Sequence, residues 1–194
     1  METRNIMIVG VGGQGSLLAS KLLGHLLLNE GYDVKVSEVH GMSQRGGSVV
    51  TYVRYGDEPV YSPMIGTGKA DVILSFEILE AARWLPCLTI GGVVVTSLQQ
   101  INPMPVITGA AEYPTELVEK MRALAVDVRA YDVQSIAREA GNERASNVAL
   151  MGIAEDALGF DEAVLRGAIE ACVPAKALDV NLKAFDMARE LAKK

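Results

Sequence analysis

Three observations predict an α/β fold, a Rossmann-like, mostly parallel sheet with a β-hairpin insertion and a helical C-terminal third. Short apolar runs alternate with amphipathic segments from residue 5 to residue 140, a glycine-rich turn closes the first run, and strand-like runs cease after Asn147. The 194 residues are expected to form one domain, 1–194, long enough to bury a core without disulfides or metals.

Asn5–Val11 is apolar and ends at glycines, the pattern of a buried strand. Gln14–Asn29 then places Leu17, Leu18, Leu22, Leu23, Leu26 and Leu27 at helical spacing until Gly31 stops it. Tyr32–Val39 is a second strand, so the opening reads as a βαβ unit whose parallel strands need a helical crossover. Gly41–Gly47 is too rich in glycine and polar groups for a regular element, and Ser48–Tyr55 with Pro59–Tyr61, joined by Gly56-Asp57-Glu58, has the pattern of a hairpin. Asp71–Phe76 is a strand, Glu77–Leu85 a helix halted by Pro86, and Gly92–Ser97 a strand after a Gly-Gly break. Pro103 and Pro105 bracket a loop, Pro114–Ala125 is an amphipathic helix with proline at its start, Val126–Tyr131 is a strand, and Val133–Ala140 is a short helix ended by Gly141. Asn147–Leu158, Asp161–Val173 and Ala175–Lys193 read as helices, the second capped by Asp161.

Composition removes several classes of function. A net charge of −6 leaves no broad basic field for phosphate backbones, so no nucleic-acid partner is expected. Cys87 and Cys172 are too few for a four-thiolate iron–sulfur cluster or zinc site and form no CxxC pair; they read as core thiols. METRNIMIVGV lacks the basic flank and cleavage site of a signal peptide, and no apolar run approaches the ~20 residues that span a bilayer. A cytoplasmic protein without membrane contact is expected.

Two motifs carry chemistry. Gly10-Val11-Gly12-Gly13-Gln14-Gly15 satisfies G-x-G-x-x-G between a strand and a helix, where glycines let backbone N–H groups and the positive helix end approach a phosphate or carboxylate. Glu38, at the end of the second strand, stands where a dinucleotide fold places its ribose carboxylate. These residues alone leave two readings open, NAD binding or glycines that only permit close strand–helix packing. Ser16 after Gly15, without the Lys-Ser/Thr pair, excludes a P-loop. The second motif, Glu38-Val39-His40-Gly41-Met42-Ser43-Gln44-Arg45-Gly46-Gly47-Ser48, should emerge beside the first at the carboxyl edge of the sheet, where α/β proteins bind ligands. Arg45 there can make bidentate contacts to a carboxylate or phosphate; a solvated turn with a capping serine is the plainer alternative. His25 sits among leucines on a helix and reads as a packing residue. His40, in the motif loop, has no Ser–His–Asp or metal-ligand spacing around it and reads as a binding or anchoring residue.

The Gly-x-Gly-Gly-Gln-Gly turn, followed about 30 residues later by Ser-Gln-Arg-Gly-Gly-Ser, resembles the gamma subunit or gamma domain of 2-oxoacid:ferredoxin oxidoreductases. Further matches are Tyr61-Ser62-Pro63, Lys69-Ala70-Asp71-Val72, Ser75-Phe76-Glu77 with Glu80-Ala81-Ala82-Arg83, Gly91-Gly92-Val93, Asn147-Val148-Ala149-Leu150 and Asn181-Leu182-Lys183-Ala184-Phe185, so the resemblance covers nearly the whole chain. The Glu38–Ser48 and Phe76–Arg83 stretches resemble the indolepyruvate branch of that family.

The resemblance implies a chain that is part of an enzyme and inactive alone. In this family a 2-oxo acid is decarboxylated on thiamine diphosphate, electrons pass singly through iron–sulfur clusters to ferredoxin, and the acyl group passes to coenzyme A. With two cysteines and no thiamine-diphosphate motif, this chain holds none of those cofactors itself, which places them on a large partner subunit. By the same resemblance, Gly10, Gly12, Gly13, Gln14, Gly15, His40, Met42, Ser43, Gln44, Arg45, Gly46 and Gly47 form loops presented to the 2-oxo acid or to coenzyme A. The competing functions are a free-standing NAD-binding oxidoreductase and a non-catalytic assembly module. The first would need an acid–base set that the C-terminal third lacks, and the second would not need the polar Arg45 loop.

Overall fold

A computed structural model describes residues 3–40 and 46–193. Along the chain run β1 (Arg4–Val11), α1 (Ser16–Asn29), β2 (Asp33–His40), β3 (Ser48–Gly56), β4 (Ala70–Ser75), α2 (Ile78–Trp84), β5 (Leu88–Ser97), α3 (Met104–Ile107), α4 (Leu117–Ala123), β6 (Asp127–Tyr131), α5 (Val133–Ala140), α6 (Ser146–Leu158), α7 (Glu162–Cys172) and α8 (Ala175–Ala192). Single 3-10 turns occupy Leu85–Cys87, at Pro86, and Glu143–Ala145.

The sheet order is β2-β3-β1-β4-β5-β6. Strands β1, β4, β5 and β6 are parallel, whereas β3 runs antiparallel to both of its neighbours. The expected α/β class holds, with two changes in topology. β1 and β2 point the same way across α1, as a βαβ unit requires, but β3 is inserted between them. The predicted hairpin with Pro59–Tyr61 does not form: both edges of β3 are already filled by β1 and β2. Residues 57–69 instead run as coil. Asp33 Oδ2 accepts Val60 N–H at 2.5 Å, and Arg54 donates to the Ser62 and Met64 carbonyls at 2.7 and 3.3 Å.

Helices cover both faces. α1, α5, α6, α7 and α8 bury Leu22, Leu23, Leu26, Leu27, Val148, Leu150 and Phe185 against Ile6, Ile8 and Val53 on one face. α2 and α4 close the other over Met7, Val9, Val50 and Ile73. Apolar area removed from water stabilises by roughly 25 cal/mol per Å², and these strands are buried on both sides as central strands should be.

Other boundaries move for local reasons. α1 starts at Ser16, not Gln14, because Gly15 is left-handed at φ 87°, and Leu17 faces outward from it. α4 starts at Leu117, three residues beyond Pro114, and the Pro103–Pro105 loop winds into the single turn of α3. β5 begins at Leu88, before the Gly-Gly pair, where the register with β4 shifts between Ala70 and Val72. Asp161 occupies the N-cap position of α7 but makes no side-chain cap bond. Asp132 does cap α5, accepting the Ser135 N–H at 3.0 Å and its hydroxyl at 2.6 Å.

Two outcomes follow. A Cβ on Gly152 would lie 2.5 Å from the Phe185 carbonyl oxygen where α6 crosses α8. Gly152→Ala, which in an exposed helix would stabilise by about 1 kcal/mol, should here destabilise by about 2 kcal/mol in urea denaturation. Bonds from the Ser135 hydroxyl and N–H hold the Asp132 carboxyl below the ordinary carboxylate range. A lowered folded value leaves that stabilisation intact above pH ~4 and removes it as pH falls through the folded value. Asp132→Ala should cost about 1 kcal/mol at pH 7, and the gap from the parent should narrow below pH ~4.

Candidate functional site

The carboxyl ends of β1, β4, β5 and β6 meet at one edge of the sheet, with the switch in winding direction between β1 and β4, the place where open α/β sheets bind ligands. The turn after β1 is shaped from within by Gln14. Its Oε1 accepts Val11 N–H at 2.7 Å, and its Nε2 donates to the Phe76 carbonyl at 2.8 Å and to Gln99 Oε1 at 2.7 Å. Gln134 Nε2 reaches the same Gln99 oxygen at 2.7 Å, and Ser97 Oγ donates to Gln134 Oε1 at 2.9 Å. A chain of amides thus ties the turns after β1, β4, β5 and β6 together. Gly10 permits it: a Cβ there would stand 2.8 Å from Gln14 Oε1 and 3.0 Å from Phe76 Cβ.

Above this chain opens a cavity of about 820 Å³ whose lining includes Gly12–Gly15, Gln99, Gln134, Arg144 and Asn147, with Glu143 its one carboxylate among the described residues. The N-termini of α1 and α6 both face it, and neither helix has an acidic residue in its first turn. The N–H groups of Gly13 and Gly15 donate to no group among the described residues. Asn147, only 7% exposed, accepts Val148 N–H through Oδ1, while its Nδ2 has no partner among the described residues. That Nδ2 lies 2.6 Å from where a Gly15 Cβ would stand, so glycine is required by space as well as by φ. Unfilled donors, two positive helix ends and the Arg144 guanidinium make an anion-accepting wall. A second cavity, of about 750 Å³ at the far end of α6, has a different character. Its arginines are already paired, Arg129 with Asp127 and Asp156, and Arg189 with Glu155 and Glu162.

The second motif reaches the first through β3. Gly12 N–H donates to the Gly47 carbonyl at 2.9 Å, so Gly46-Gly47-Ser48 lies against the glycine turn. His40 is the last backbone position of β2, opposite Val49. Met42, Ser43, Gln44 and Arg45 lie outside the described residues. Glu38 pairs with Thr51 of β3, two strand spacings from β1 or about 10 Å, whereas a dinucleotide fold has the strand bearing its ribose carboxylate beside β1.

Sequence reasoning left Gln99, Gln134, Arg144, Asn147, Glu77 and Glu80 without roles. Glu77, 1% exposed, accepts the Glu80 N–H at 2.9 Å, Ile101 N–H at 3.1 Å and the Tyr113 hydroxyl at 2.5 Å. Burial, then the Glu77 carboxylate, holds that hydroxyl well above the ordinary phenol range. Asn147, Glu77 and Glu80 stood within matched stretches; Gln99 and Gln134 carried no signal, since only the fold brings them together. Among the described residues no group of three or more His, Cys, Asp or Glu could hold a metal ion, and no helix is long and apolar enough to cross a membrane.

Comparison with known proteins identifies the family and the fold. The family model described as pyruvate ferredoxin/flavodoxin oxidoreductase matches residues 5–191. The indolepyruvate oxidoreductase subunit IorB of Pyrococcus horikoshii is 47% identical, and that of Thermococcus kodakarensis 45%, each alignment covering 100% of this chain and 98% of the relative. The pyruvate oxidoreductase subunit PORC of Thermotoga maritima shares the fold with a TM-score of 0.73 at 20% identity, over 98% of this chain and 97% of that one.

Removing the brace should loosen the turn. Gln14→Ala leaves Val11 N–H and the Phe76 carbonyl without their amide, and should cost about 2 kcal/mol in urea denaturation. Stability equal to the parent's would mean that the amide chain does not hold this edge.

Proposed function

The chain belongs to the pyruvate ferredoxin/flavodoxin oxidoreductase family, and from that premise we propose that it is the small subunit of an indolepyruvate (arylpyruvate):ferredoxin oxidoreductase. It supports oxidative decarboxylation of a 2-oxo acid to an acyl-coenzyme A, with electrons passed to ferredoxin. The observation that carries this reading is alignment along the whole chain with relatives named for indolepyruvate oxidoreductase. Thiamine diphosphate and the iron–sulfur clusters belong to a larger partner, since two cysteines cannot ligate a cluster. The chain works in the cytoplasm as a single gamma-type domain without nucleic acid.

Within that assembly the cavity at the glycine turn receives coenzyme A. Its phosphates are the anions that the Gly13 and Gly15 N–H groups, the α1 and α6 N-termini, Asn147 Nδ2 and Arg144 can hold. Coenzyme A supplies the thiol that carries the acyl group away; the chain's part is to fix the nucleotide end. Gly46 and Gly47, which lie against the glycine turn, belong to the same ligand-facing motif as His40, Met42, Ser43, Gln44 and Arg45. Leu17, in the first turn of α1, and Leu98, just after β5, are 67% and 44% exposed and are apolar contacts for the large subunit.

The test is reduction of ferredoxin or a viologen dye, dependent on an arylpyruvate and coenzyme A, with the small chain, the large chain and both. Activity is expected only from the pair. In the pair, Arg144→Ala should raise the KM for coenzyme A about ten-fold, the loss of one charge-assisted phosphate contact. Activity from the small chain alone would refute the reading, as would full activity from the large chain alone.

A further inference from the structure

The turn after β4 carries a second buried carboxylate that the cavity does not use. Glu80, on α2, is 4% exposed. Its Oε2 accepts the Ser48 hydroxyl at 2.5 Å, and its Oε1 accepts Arg83 Nε at 3.0 Å. Arg83 is half-exposed, so the ion pair alone is a weak reason for removing a carboxylate from water. An aliphatic side chain of the same length would fill the space without that cost. What an aliphatic chain could not do is hold Ser48.

Ser48 is the first residue of β3 and follows Gly47, whose carbonyl receives Gly12 N–H at 2.9 Å. A short path therefore runs from Glu80 through Ser48 and the Gly47 carbonyl to the glycine turn. It approaches from the β3 side, while Gln14 braces the same turn from the β4 and β5 side. Gly12 has no side chain and Gly13 is left-handed, at φ 100°, so the turn has little stiffness of its own and takes its shape from these contacts.

We propose that Glu80 is a positioning residue for coenzyme A: by holding the Ser48 hydroxyl it places the Gly47 carbonyl, and through Gly12 N–H it sets the orientation in which the Gly13 and Gly15 N–H groups meet the ligand. The proposal rests on the reading of the cavity as the coenzyme A site. Glu80 touches no substrate, and its effect is on affinity and not on the chemical step.

The experiment uses the assembled complex, with coenzyme A affinity measured by calorimetric titration and by KM, beside kcat and the thermal midpoint. Ser48 is solvent-exposed and Glu80 keeps its bond to Arg83, so in Ser48→Ala water can take the place of the lost hydroxyl and the effect on folding is small. It should weaken coenzyme A about five-fold in both Kd and KM, the loss of one net hydrogen bond, with kcat and thermal midpoint retained. Ser48→Thr, which keeps the hydroxyl, should restore the parent's affinity, and Glu80→Gln should weaken it with the same unchanged kcat. Unchanged Kd in Ser48→Ala, while Arg144→Ala still weakens binding, would overturn the positioning role and leave the cavity reading standing. A fall in thermal midpoint with Kd unchanged would reduce Glu80 to a structural part, also against the proposal. A parent complex that binds no coenzyme A in the titration would overturn the cavity reading and the proposal together.

Discussion

The insertion of one antiparallel strand between β1 and β2 governs this molecule. β3 pairs with β1 from Ser48 to Tyr55 and with β2 from Val49 to Gly56, placing Gly10 opposite Val49 and Val11 opposite Ser48. The end of the second motif is therefore delivered directly beside the glycine turn. In a plain βαβ unit β2 would lie beside β1; here β3 takes that place. The same insertion pushes Glu38 outward by one strand and leaves β2 as the edge of the sheet. A fingerprint shared with dinucleotide folds thus sits in a sheet whose strand order differs from theirs, and strand order, not the glycines alone, decides which side chains stand around the turn.

Around that arrangement the polar groups at the carboxyl edge are satisfied mostly by one another. The short stretch after β4 meets every neighbouring turn. The Phe76 carbonyl takes Gln14, the Glu77 carboxylate takes Ile101 and Tyr113, Ile78 N–H reaches the Gln99 carbonyl, and Glu80 takes Ser48. Buried carboxylates and amides are costly when unpaired and rigidifying when paired. The donors without partners among the described residues collect on the cavity wall, at Gly13, Gly15 and Asn147. The edge is tied together where its turns meet and open where the cavity lies.

Much of this was legible along the chain. Periodicity located the strands and all the long helices to within a few residues, because burial on a sheet or against a helix imposes spacings of two or 3.6 on apolar residues whatever lies far away in sequence. The glycine turn and its place between strand and helix were legible for the same local reason, since left-handed Gly13 and Gly15 leave a mark in sequence that any strand–turn–helix shares. Pro59–Tyr61 misled because a turn followed by a short apolar run looks like a hairpin when nothing reveals that both edges of β3 are taken. Asp33, 27 residues before Val60, decides where that segment goes.

What the sequence determined by itself is the α/β class, the position of the glycine turn between strand and helix and, through its two motifs, the family. The tertiary structure alone decided strand order and everything that depends on it: the contact of Gly12 with Gly47, the displacement of Glu38, and the meeting of Gln14 with Gln99, 85 residues away. The physical reason is range. Backbone strain and hydrophobic period act over a few residues and are written locally, whereas hydrogen-bond partners of buried amides and carboxylates are chosen by which turns the sheet brings together.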